Sequence, residues 1–232
     1  FQSGDAATVL AAANRNPVTV TDYSIAPWDS VYRRLVQYKE AAVASPDINR
    51  RTSALKRDLA RMLIGNHPNL NRLADRYLTV EDLLRVRHRL IGSGQIGGKA
   101  AGMLLARGIL QKDNGETDFT QILEEHDSFH IGSDVFFTFL VKNNLFRLRL
   151  QSSKNPELSR DEFAKVEQLF LAGQFPDDIT EQFRNMLDYY GQAPIIVRSS
   201  SLLEDGFAKA FAGKYRSEFC PNQGSPEDRL EA

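Results

Sequence analysis

An α+β fold is predicted, with a helical N-terminal region followed by a small mixed or antiparallel sheet and flanking helices. Three observations carry this expectation. Apolar residues recur at helical spacing through the first ninety positions. A glycine-rich run leads into an alanine-rich helix near Gly98. Short β-branched or alternating runs, 194–197 and 215–219, stand near the end.

Each element follows from local signals. AATVLAAAN, within 5–16, suits a short helix that Pro17 ends, and VTVTDYSI then alternates like a strand or extended arm. In 28–44, Val31, Leu35, Tyr38 and Ala42 share one helical stripe, which Pro46 closes. Residues 50–64 repeat the pattern with Leu55, Leu59, Met62 and Leu63, and a third helix starts at Thr79, whose hydroxyl and Asp82 suit a first turn. The nearby Arg50, Arg51, Lys56, Arg57 and Arg61 read as a solvated helix face. Residues 128–131 form a short candidate strand. Ser133 can cap a helix over 134–142, with Val135, Phe136, Phe139, Leu140 and the later Phe146 as core. Ser159 with Glu162 makes a capping box for a helix to about Leu171, and a further helix runs from about Asp178 to Tyr190, ended by Gly191. Ser225, Pro226, Glu227 and Asp228 announce a last helix. Six residues are too few to nucleate a helix or bury a useful face, from which the chain is expected to be a piece of a longer protein.

Composition narrows the function. The chain has 232 residues, 42% of them hydrophobic and 25% charged, which is ordinary globular material for one large or two small domains. A net charge of −1 and a pI near 6.5 give no global field for DNA or an acidic membrane, so an anion has to be held by a local cluster. No nucleic acid and no membrane partner is expected. The single cysteine, Cys220, precludes an internal disulfide and a cysteine-rich metal site, which fits a cytoplasmic setting. No apolar run approaches the roughly 20 residues that span a bilayer. His67 and His88 have no second imidazole or carboxylate at ligand spacing nearby, and His126 and His130, close to Glu124, Glu125 and Asp127, read as solvated loop charges rather than a metal site, so none is assigned.

Two stretches carry chemistry. In APIIVRSSSLLEDGFAKAFAGKYRSEF, the apolar run 194–197 reads as a buried strand that delivers Arg198 to its end. Three serines, the acids Glu204 and Asp205, a small-residue turn at Gly213, and an alternating strand with Tyr215, Ser217 and Phe219 follow. A guanidinium fork, hydroxyls and close backbone N–H groups suit a phosphate chain, although Arg198 paired with Glu204 or Asp205 is the plain alternative. In GSGQIGGKAAGMLL, the Gly92, Gly94, Gly97 spacing matches a dinucleotide fingerprint, but the preceding RVRHRLI lacks buried-strand character. A phosphate-binding P-loop fails at Ser93 and Ala100. Lys99 remains, in a first helical turn whose dipole and open N–H groups favour an anion.

Both stretches resemble one family. VRSSSLLEDGFAKAFAGKY is similar, without gaps, to the VRSSA…ED…SFAGQ segment of the nucleotide-binding domain shared by phosphoenolpyruvate synthase, pyruvate phosphate dikinase and rifampin phosphotransferase. IGGKAAGMLLA resembles the [IV]GGK…L segment that opens that domain, in the same order along the chain. Ala210 stands where the family has serine, and Lys214 where it has glutamine. The resemblance implies a partial ATP-grasp type domain over 91–232, cut short at its C-terminal end, behind a helical extension over 5–90. It implies an ATP-dependent phosphotransferase in the full-length protein, passing a phosphoryl group through a phosphohistidine domain to pyruvate or another acceptor. Lys99, Arg198, Gly213 and Ser217 would bind ATP, Arg198 would also act in catalysis, and Mg²⁺ ligands would lie outside this chain, leaving this piece alone inactive. The rival reading is a non-catalytic nucleotide-sensing or protein-interaction module that kept the fold.

Overall fold

The computed structural model describes residues 27–40, 46–112, 115, 117–124, 127–154, 160–201, 205–206, 209–210 and 215–232. The expected helix in 5–16, the extended arm after it, Ser159, Glu204 and the Gly213 turn lie outside the described residues. The fold is α+β, mostly helical, with small two-stranded sheets among the described residues.

The chain divides into two compact units, 1–55 and 56–232. The first holds α1 (Pro27–Glu40) and the start of α2 (Pro46–Ile64). Pro46 opens α2 rather than closing the helix before it, as suits a residue whose missing N–H is needless in a first turn.

In the second unit, α3 (Pro68–Tyr77) was not anticipated in the sequence, because only Leu70, Leu73 and Ala74 mark its inner face among polar neighbours. Next comes α4 (Val80–His88), with Thr79 and Asp82 in the expected reciprocal cap: the Asp82 N–H donates to Thr79 Oγ1 at 3.1 Å, and the Thr79 N–H donates to Asp82 Oδ2 at 2.7 Å. Of the basic residues, Arg57 and Arg61 are exposed, but Lys56 is not simply solvated: it donates to the Asp75 carbonyl at 2.7 Å, and burial lowers its pKa.

The chain then forms β1 (Leu90–Ile91) and α5 (Gly98–Gln111). Strand β2 (His130–Ile131) runs parallel to β1, with Leu90 opposite His130 and Ile91 opposite Ile131. The Arg89 guanidinium, just before β1, stands 4.7 Å over the Phe129 ring and 4.0 Å over Tyr189, with Asp127 at 3.3 Å. Helices α6 (Ser133–Lys142), α7 (Phe146–Lys154), α8 (Arg160–Leu171) and α9 (Asp177–Tyr190) follow. Ser133 is the first residue of α6 and not its cap; Gly132 takes the cap position, because the Ser133 hydroxyl serves another backbone group. Val135, Phe139 and Leu140 are core as expected, whereas Phe136 and Phe146 are exposed: α6 buries Val135 against Ile91 of β1 and Ile179 of α9, and Phe139 and Leu140 against Leu145, Leu148 and Phe170.

The antiparallel ribbon β3 (Ile195–Arg198) and β6 (Ser217–Cys220) brackets a second hairpin, β4 (Asp205–Gly206) with β5 (Lys209–Ala210). Strand β3 is not buried: Ile196 and Val197 are 47% and 45% exposed, and Phe219 on β6 is 79% exposed. An apolar β-branched run specifies a strand but does not supply a layer to cover it. The last helix, α10 (Pro226–Glu231), has the expected Ser225 and Asp228 capping box, and it does bury a contact. Arg229 donates to the carbonyls of Leu187 and Gly191 at 3.0 and 2.6 Å, capping the end of α9 with a cation where the helix dipole is negative.

His130 gives one consequence for pH. Burial holds its imidazole below the ordinary value of 6.5. The unfolded chain therefore takes up a proton first, so this contribution to stability is complete above pH 6.5 and is lost as the pH falls from there toward the lower folded value. In His130→Gln the decline of melting temperature between about pH 7 and pH 5 is expected to be shallower than in the parent chain. Equal slopes would contradict a buried neutral imidazole.

Candidate functional site

The site is built on the loop between β1 and α5. Gly92 leaves the strand at φ +81°, a left-handed conformation that glycine adopts without strain. Its N–H donates to Gln182 Oε1 at 2.8 Å. The Ser93 N–H and hydroxyl both donate to Asp134 Oδ2 at 2.8 Å, and the Gly94 N–H donates to Asp134 Oδ1 at 2.6 Å. The Gln95 N–H goes to Ser133 Oγ at 3.1 Å, and the Ile96 N–H to the Leu63 carbonyl at 2.8 Å. A concave run of backbone donors takes an anion. Here the anion is the chain's own Asp134.

That observation settles the fingerprint in different terms from the sequence. The buried, parallel β1 does stand before the glycines, contrary to the reading of RVRHRLI. The loop is nonetheless no dinucleotide cradle, because its donors are already engaged.

The second turn meets the serine-rich segment. Gly97 is the N-cap of α5. The Gly98 N–H donates to the Ser200 carbonyl at 3.0 Å, and the Ala100 N–H donates to Ser200 Oγ at 3.1 Å. A Cβ at position 97 would lie 1.4 Å from the Ser200 carbonyl oxygen, so only glycine permits this approach. The expectation that the N–H groups opening α5 are free for a ligand is thereby corrected, since Ser200 occupies two of them.

Arg198 and Ser217 are directly opposite each other on the β3 and β6 ladder, both exposed, and share a ribbon face with the Ile196 and Phe219 pair. Lys99, partly buried, lies between the two α5 residues that Ser200 grips, and Arg198 precedes Ser200 by two positions. The fold therefore joins Arg198 to Ser217 by strand pairing, and the Lys99 segment to the Arg198 segment through Ser200. Among the described residues Arg198 has no ion-pair partner, and Glu218 on the opposite ribbon face pairs with Arg216 at 2.9 Å. Gly213 lies outside the described residues. Hairpin β4 and β5 packs beside α5, which brings the segment after the serines back to the same helix.

A lysine at a helix start, an exposed arginine and a hydroxyl on neighbouring segments form an arrangement able to neutralise a polyanion. One family model, described as pyruvate phosphate dikinase, AMP/ATP-binding domain, matches residues 93–232. The chain belongs to this family. No curated protein and no solved structure matches it. The matched range contains all four expected site residues, Lys99, Arg198, Gly213 and Ser217. It therefore forms the AMP/ATP-binding part of a kinase or dikinase-type protein.

Sequence reasoning passed over Asp134 and Gln182, and it offered the Ser200 hydroxyl, with those of its serine neighbours, to a phosphate, whereas in the structure that hydroxyl accepts the Ala100 N–H. Asp134 has the look of any acid in a first helical turn. Among the described residues no three His, Cys, Asp or Glu side chains form a candidate metal cluster, and no helix is long and apolar enough to cross a membrane.

Proposed function

We propose that residues 91–232 are a partial ATP-grasp type nucleotide-binding domain of a phosphoenolpyruvate synthase or pyruvate phosphate dikinase-like phosphotransferase, and that 5–90 is a helical extension to it. ATP binds with its phosphates between Lys99 and Arg198, and Ser217 adds a hydroxyl beside Arg198. Gly213 is assigned to ATP binding with them. The phosphoryl group then passes to a histidine of a separate domain, and from there to pyruvate or another acceptor.

The observation that carries this reading is the docking of the Gly-Gly-Lys turn onto the segment after Arg198, within a chain of the pyruvate phosphate dikinase family. Phosphoryl transfer relies on positioning and charge neutralisation more than on covalent chemistry, and paired cations on rigid elements supply both. Mg²⁺, when bound, would add charge neutralisation at the phosphates, with its ligands expected outside this chain. The described residues supply no cluster for it, so no step is assigned to a metal here.

Calorimetry tests the reading. The chain should bind ATP in the presence of magnesium, and Arg198→Ala should weaken binding about 10- to 100-fold, the worth of one charge-assisted contact. Because Arg198 is exposed, its melting temperature should stay within about 2 °C of the parent. Unchanged affinity in Arg198→Ala would remove that residue from the site. The helices that precede residue 93 favour a second reading, a nucleotide-sensing or protein-interaction module without transfer chemistry. Transfer of label from ATP to a histidine in the longer protein would exclude that second reading.

A further inference from the structure

We propose that Ser200 is a positioning residue that holds Lys99 and Arg198 in register for a nucleotide's phosphates, an inference that rests on the ATP-binding reading above. One residue supplies both acceptors: its carbonyl takes the Gly98 N–H at 3.0 Å and its hydroxyl takes the Ala100 N–H at 3.1 Å. These two donors flank Lys99. Gripped on both sides, the first turn of α5 can neither rotate nor slide relative to the serine segment. Arg198 lies two residues upstream, at most about 7 Å of extended chain from Ser200, and the pairing of Arg198 with Ser217 fixes it from the other side. The two cations therefore belong to one frame whose joint is Ser200.

The joint also decides where an anion sits. Ser200 satisfies donors that would otherwise face a ligand, so phosphate oxygens meet the Lys99 and Arg198 side chains and not the Gly98 and Ala100 amides. Removing the hydroxyl has two opposed effects. It liberates the Ala100 N–H, which favours an anion, and it leaves the turn held by the Gly98 bond alone, which lets the cations drift apart. Two correctly spaced charge-assisted contacts outweigh one neutral backbone donor, so loosening dominates and affinity falls.

The test is calorimetry with ATP and magnesium on the chain. Ser200→Ala should bind about 3- to 10-fold more weakly than the parent, and Ser200→Thr, which keeps the hydroxyl, should recover most of that loss. In the parent, Lys99→Ala and Arg198→Ala should be non-additive, each leaving the other cation ineffective. In the Ser200→Ala background they should add. A purely structural role would lower stability without changing that coupling. Equal or tighter binding by Ser200→Ala would overturn the proposal while leaving the ATP-binding reading intact, whereas no ATP binding by the parent would overturn both. A measurement without any variant guards against misfolding: the Ala100 amide of the parent should exchange with solvent at least 100-fold more slowly than in an unfolded chain, and unprotected exchange there would overturn the proposal.

Discussion

Alanine at position 97 is expected to lower the melting temperature by roughly 6–12 °C, corresponding to about 3 kcal/mol for a chain of this size. The added methyl would stand 1.4 Å from the Ser200 carbonyl oxygen and 2.5 Å from its hydroxyl, and no rotamer change relieves a clash with a carbonyl. Either the turn or the serine segment has to move. Both Ser200 bonds to α5 are then weakened, so ATP affinity should fall in the same variant. Thermal unfolding followed by circular dichroism measures the first effect. A change under 2 °C would mean that the two segments do not touch in solution.

Removal of the Asp134 carboxylate is the second large effect. Asp134→Ala leaves the Ser93 and Gly94 N–H groups without their acceptors, at a cost of roughly 2–4 kcal/mol. The expected fall in melting temperature is about 4–16 °C. Asparagine should not rescue it. The two N–H groups address different oxygens of the carboxylate, and an amide would turn a donor toward one of them. Wild-type stability in Asp134→Asn, measured by urea titration, would show that one acceptor suffices.

The two cations could be read from the sequence because their neighbours have fixed grammar. Gly-Gly-Lys at a helix start and Val-Arg-Ser-Ser at a strand end are local patterns, and the structure places Lys99 and Arg198 in those local settings. The capping boxes at Thr79 and Ser225 were legible for the same reason, since each is closed by a residue three positions away. What was not legible is long-range. Ser200 reaches Ala100 across 100 positions, Gln182 reaches Gly92 across 90, and Asp134 reaches Gly94 across 40. No periodicity encodes such a partner. Exposure failed similarly at 194–197: the β-branched run specified strand geometry correctly, but whether a strand is covered depends on which other elements pack on it.

The bond from Ala100 to Ser200 also bears on the order in which the molecule acquires its parts. Closing a loop of 100 residues carries an entropic penalty of about 4 kcal/mol beyond the length-independent part, whereas helices form from contacts only a few residues apart. Helical content and a finished Gly-Gly-Lys turn are therefore distinct stages. A chain can have α5 and α9 in place while Lys99 and Arg198 are still carried on segments that diffuse independently. The neighbourhood of the two cations depends on a contact that local structure alone does not close, so nucleotide recognition has to await long-range assembly.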